Sequence, residues 1–176
     1  METKQQGMPF TVFGSVITFL LQVMIAPNIA IYDVVPNFFL VFVVLNSMLT
    51  NRTRACATGF ILGLLYDFLS PGAPGTMAFV LTIIGYSVGS LNKDLFAESW
   101  VSQVFFLLLA SFFAELLHSV FLSILGFDTN FLTSLGMRVL PASIYNTLFG
   151  LVVIFIMFRL SERRKKKRGY MKGRFD

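Results

Sequence analysis

Residues 36–75 read PNFFLVFVVLNSMLTNRTRACATGFILGLLYDFLSPGAPG. Two apolar runs flank a small basic island, Asn51-Arg52-Thr53-Arg54. The second run carries Gly59 and Gly63 four residues apart, then Tyr66-Asp67, then a Ser-Pro-Gly-Ala-Pro-Gly break. Such a pattern predicts a membrane hairpin whose inside turn is marked by charge.

The bulk composition supports lipid as the solvent. Mean hydropathy is +0.76, and 56% of the 176 residues are hydrophobic against 13% charged. So few charges could not cover the apolar surface of a soluble domain of this size. The apolar runs do not alternate with polar residues, which argues against a barrel. We therefore expect an all-α integral membrane protein. The single cysteine, Cys56, leaves no internal disulfide and reads as a small packing residue. Only Lys4 precedes the first apolar run, and no cleavage pattern follows it, so that run is expected to stay as a helix.

A spanning helix needs about 20 residues. Six candidates result, at about 9–26, 36–50, 55–69, 75–91, 100–125 and 138–160, followed by a basic tail at 161–176. The second and third are short; as a re-entrant element they would leave four spans. Charge favours six with both termini cytoplasmic. That arrangement puts 13 of the 14 Lys and Arg residues inside and leaves Arg138 as the one outside cation, with Asp33, Asp67 and Asp128 outside.

Polar and small residues fall in stripes at helical spacing, such as Thr11, Ser15, Thr18 and Gln22, or Ser111, Glu115 and His118. Lipid offers these groups nothing, so the stripes should face the bundle interior. A carboxylate within a span is a functional candidate by default. Gln22, Glu115, His118 and Asn146 all fall in the outer half under this topology, where they could line a polar cavity. The alternative is that Glu115 only ties helices together. Gly59, Gly63, Gly85 and Gly89 permit close backbone approach. They form either a face for a partner's helix or a seam within the chain. Asp67 ends the third helix at the unfavourable end of its dipole, so it is expected either to contact Arg138 or to sit solvated at the loop edge. The run Arg163, Arg164, Lys165, Lys166, Lys167, Arg168 should contact anionic lipid.

No metal-ligand spacing, phosphate-binding glycine loop or evident nucleophile triad accompanies these residues. We expect no enzyme activity, no cofactor and no nucleic-acid partner.

Pro36-Asn37 before an apolar run, the basic turn, Thr58-Gly59-Phe60-x-x-Gly63-x-x-x-Asp67-x-x-Ser70, Gly75 and Gly85-Tyr86 together resemble the bacterial rod shape-determining MreD family. Leu20-Leu21-Gln22 ahead of Pro27 is similar too. The resemblance implies a non-enzymatic inner-membrane scaffold of the cell-elongation machinery that supports peptidoglycan synthesis. Its implied partners are MreC directly, RodA and a class B penicillin-binding protein within the complex, and MreB filaments. The family fold is similar to the six-helix substrate-binding subunits of energy-coupling-factor transporters. That likeness implies an alternative, a small-solute-binding subunit with a cavity near Glu115 and Asn146. Asp67, Gly59 and Gly63 carry over as architecture or interface.

Overall fold

The structure is a computed structural model. It describes residues 8–31, 34–70, 73–91, 100–126 and 131–172, with side chains up to Arg159 except those of residues 8, 10, 132, 157 and 158. Lys4, Asp33, Lys93 and Asp128 lie outside the described residues, as do the side chains of the basic run at 163–168.

Among the described residues, six long helices carry the fold. They are α1 (Met8–Met24), α2 (Phe38–Leu49), α3 (Arg52–Leu69), α4 (Thr76–Ser90), α5 (Trp100–Ile124) and α6 (Leu140–Lys172). Two are long and apolar enough, by length and composition, to cross a membrane: α5, and the segment Leu135–Ile156 that enters α6. Packing is inverted relative to a water-soluble domain. Phe13, Phe68, Ile124 and Leu148 are exposed, whereas Thr18, Gln22, Ser111, Glu115 and Asn146 are buried. Such an arrangement suits lipid outside and hydrogen bonding inside.

Helix α2 is the hub. It has 12 residues, of which Phe42 and Leu49 alone are not buried. A helix apolar on every side belongs in the middle of a bundle, and α2 packs against α1, α3, α4, α5 and α6. Phe39, Leu40, Val43 and Val44 sit at the centre of the core with Leu62, Leu81 and Leu107. At 1.5 Å per residue α2 rises about 18 Å, well short of a hydrocarbon layer of about 30 Å.

Helices α3 and α4 form the tightest pair. A Cβ at Gly63 would stand 2.5 Å from the Ala78 Cα, and one at Gly85 would stand 2.6 Å from the Ala55 carbonyl oxygen. Gly59 backs onto the Leu81 carbonyl and Gly89 onto Arg52 and Ala55. The four glycines are thus spent on each other's helices. As a partner-docking face the set is corrected: the backbones meet within one chain and leave no room for a third helix there.

Two boundaries differ from expectation. Helix α3 starts at Arg52, so the basic island is its first turn and not a separate loop. The chain also does not leave helix at residue 160, because α6 continues through the basic run to Lys172. Ahead of α6, residues Leu135–Val139 form a π-turn in which the Leu140 N–H reaches the Leu135 carbonyl. Pro141 has no N–H to give an ordinary helical bond, and the widened turn accommodates its entry.

Leucine at Gly63 or Gly85 should lower stability in detergent by about 1–3 kcal/mol, the usual range for overpacking. Alanine at Gly136, where a Cβ meets nothing within 4 Å, should leave it nearly unchanged. Thermal unfolding of the purified variants reads both, and an unchanged Gly63→Leu melting point would contradict the seam.

Candidate functional site

The polar interior is built around the amino terminus of α2. A helix start leaves its first N–H groups without intrahelical partners, and among lipid-facing helices no water replaces them. Three N–H groups at this end have partners on different parts of the chain. The Leu40 N–H donates to the Asn37 side-chain oxygen at 3.0 Å, a local N-cap. The Phe38 N–H donates to Gln22 Oε1 on α1 at 2.8 Å. The Asn37 N–H donates to Asn146 Oδ1 on α6 at 2.7 Å.

These acceptors are themselves held in place. Gln22 Nε2 donates to the Pro36 carbonyl at 3.2 Å, so one amide clamps the strand entering α2 through two bonds. Asn146 Nδ2 donates to Glu115 Oε1 on α5 at 3.1 Å. That bond fixes the amide so that its oxygen faces Asn37 and not its nitrogen. Glu115 thereby orients Asn146, and Asn146 anchors α2. Four helices are joined through one chain of hydrogen bonds. Further along α2, Thr11 on α1 donates to Asn46 Oδ1 at 3.1 Å.

Gln22, Glu115, His118 and Asn146 are all buried, Asn146 completely. Gln22, Asn146 and Glu115 are linked through the amino terminus of α2. Neither the groove between α3 and α4 nor the one between α4 and α5 is lined by any of the four. Gln22 and Asn146 turn polar atoms onto the backbone of α2. His118 takes no part in the bonds just described; its ring meets the edge of Tyr66 at 6.3 Å between centroids. Tyr66 in turn packs edge-on to Phe39.

Asp67 has a different partner from the one expected. Its carboxylate accepts from the N–H groups of Gly75 at 3.0 Å, Met77 at 3.0 Å and Ala78 at 2.9 Å. Gly75 itself offers no side-chain cap and sits at φ 94°, a left-handed turn that favours glycine. Asp67 thus caps α4 from the end of α3. A charge that would be unfavourable at its own helix's carboxyl end meets the positive amino end of the next. Arg138 is exposed in the π-turn. Among the described residues no ion pair joins it to Asp67, whose oxygens the α4 turn already occupies.

Asn37 is the residue whose role the sequence pattern left unread. Its signal is visible afterwards: an Asn directly before an apolar run is an N-cap. Its bond to Asn146, 109 positions away, has no such local mark.

The arrangement satisfies and positions helices. Among the described residues it brings no nucleophile, base and activating group together. Among the described residues the class is a helical bundle with an apolar exterior and hydrogen-bonded polar groups inside. The chain belongs to the MreD family: the family model described as rod shape-determining protein MreD matches residues 4–164. Comparison with curated proteins gives no match, and comparison with solved structures gives none.

Leucine in place of Asn146 should cost about 1–3 kcal/mol, the penalty for stranding a buried donor. In that background Glu115→Leu should cost much less than it does alone, since the two act through one bond. A double-mutant cycle of unfolding in detergent measures this, and fully additive losses would contradict the coupling. Separately, Asp67→Ala should cost about 0.5–2 kcal/mol as a lost cap. Pairing Asp67→Arg with Arg138→Asp should restore nothing; recovery of the wild-type melting point would reinstate the ion pair.

Proposed function

We propose that this protein is a non-enzymatic, multi-pass scaffold of the rod complex in the bacterial cytoplasmic membrane. Membership of the family over residues 4–164 carries the reading and gives the role in rod shape determination. In this reading all six helices are membrane-embedded and both termini are cytoplasmic. The basic first turn of α3 and the basic end of α6 then share the cytoplasmic side, in keeping with the positive-inside rule. The six basic residues Arg163, Arg164, Lys165, Lys166, Lys167 and Arg168 meet anionic lipid there.

The scaffold binds MreC directly and supports peptidoglycan synthesis through RodA and a class B penicillin-binding protein, with MreB linked on the cytoplasmic side. The filled interior supports a scaffold over a carrier. A carrier of small solutes needs a cavity where Glu115 and Asn146 bond each other. Since the α3–α4 glycines pack internally, the MreC anchor docks elsewhere on the outer surface.

Detergent extraction of the tagged chain from cells that also express MreC should recover MreC in near-stoichiometric amount. Recovery of ATPase subunits without MreC would contradict the proposal. In a rod-shaped bacterium depleted of its own MreD, a chain carrying Asn146→Leu should restore rods less well than the wild type, in proportion to its loss of folded protein.

A further inference from the structure

The outer side of the α3–α4 seam carries a groove of about 480 Å³. From α3 it is lined by Arg52, Thr53, Cys56, Ala57 and Phe60, and from α4 by Thr82 and Tyr86. The α3 positions follow the i, i+1, i+4, i+5, i+8 spacing of one helix stripe. The stripe rises about 12 Å from Arg52 to Phe60. Its floor is small, and its walls are two aromatic rings, each about half exposed: Phe60 at 52% and Tyr86 at 51%. Its mouth is polar and cationic.

We propose that this groove holds one anionic phospholipid, its phosphate on Arg52 and Thr53 and one acyl chain between Phe60 and Tyr86. Charge complementarity selects that occupant. A guanidinium fork binds a phosphate through paired hydrogen bonds, and the Thr53 hydroxyl adds a donor one residue on. The seam fixes the backbone of Arg52 at the mouth: a Cβ on Gly89 would stand 3.0 Å from the Arg52 Cα. Helix α4 therefore fixes where the headgroup binds, and the apolar channel below it runs into the membrane. By contrast, the groove between α4 and α5, about 330 Å³, is lined by residues such as Ile83, Val88, Leu91 and Phe106 and by no charged side chain. Nothing there distinguishes one headgroup from another. The proposal goes beyond the scaffold role and rests on that reading only for the placement of α3 and α4 in the membrane. It also differs from the diffuse attraction of the basic end of α6, which provides charge without a built slot.

Native mass spectrometry of the full chain in detergent tests it, with phosphatidylglycerol and phosphatidylcholine of matched acyl chains as probes. The wild type should retain one phosphatidylglycerol at least five-fold more strongly than phosphatidylcholine. Arg52→Gln should abolish that preference. Ala57→Phe, which fills the exposed floor, should weaken both lipids. Replacing the six basic residues at 163–168 by Gln should leave the first adduct intact, and inorganic phosphate should not displace it. Equal retention of the two lipids by the wild type would overturn the proposal, as would a preference that survives Arg52→Gln. Loss with the 163–168 variant alone, or displacement by phosphate, would assign the binding to the tail or to a bare anion site. A dimer mass relieved by Ala57→Phe would assign the groove to a second copy.

Discussion

The interaction on which the fold depends is the satisfaction of α2's first N–H groups inside the bundle. The amino end of this 12-residue helix is buried among other helices, Asn37 and Phe39 almost completely. An unpaired buried N–H costs about 1–3 kcal/mol. The chain offsets this with two side-chain amides from distant helices, Gln22 and Asn146. Once those amides are committed, the positions of α1 and α6 relative to α2 follow. Glu115 then follows from Asn146, and α5 from Glu115. A single local deficit thus organises four helices.

The α3–α4 hairpin meets the same problem in another way. There the orphan groups at the start of α4 are taken by Asp67, a carboxylate ten or so residues upstream. Close approach of the two helices, permitted by the four glycines, brings that carboxylate within reach. Seam and cap reinforce each other: the glycines let the two helices approach closely, and Asp67 takes the N–H groups at the start of α4. Both ends of the architecture therefore consume polar groups internally. What the protein offers to others is its outer surface, which fits a member of the rod shape-determining family better than a carrier with an inner chamber.

Much of this was legible in the residues. Periodicity and hydropathy placed the helix-bearing stretches, and the polar stripes identified the faces of α1, α5 and α6 that turn inward. Gln22, Glu115 and Asn146, all singled out there, meet in one chain of hydrogen bonds. The partners were harder to read. A stripe says which way a side chain points but not what it meets, so a cavity and a closed network look alike in sequence. Asp67 illustrates the limit. Charge alone suggested Arg138, the one formal opposite on that side, because partial charges on backbone N–H groups have no letter in the sequence. The glycine pairs left two outcomes open, and only the spacing of α3 and α4 in three dimensions decided for the internal seam. Asn37 was masked by its position at the edge of an apolar run, where its local cap hid its long-range bond.

Backbone hydrogen exchange in lipid nanodiscs tests the central claim most directly, read at the amides of Asn37, Phe38 and Leu40. Held by Asn146, Gln22 and the Asn37 cap, they should exchange as slowly as amides in the middle of α4. Exchange within seconds at these three, with the middle of α4 protected, would show a solvated helix end and contradict the account.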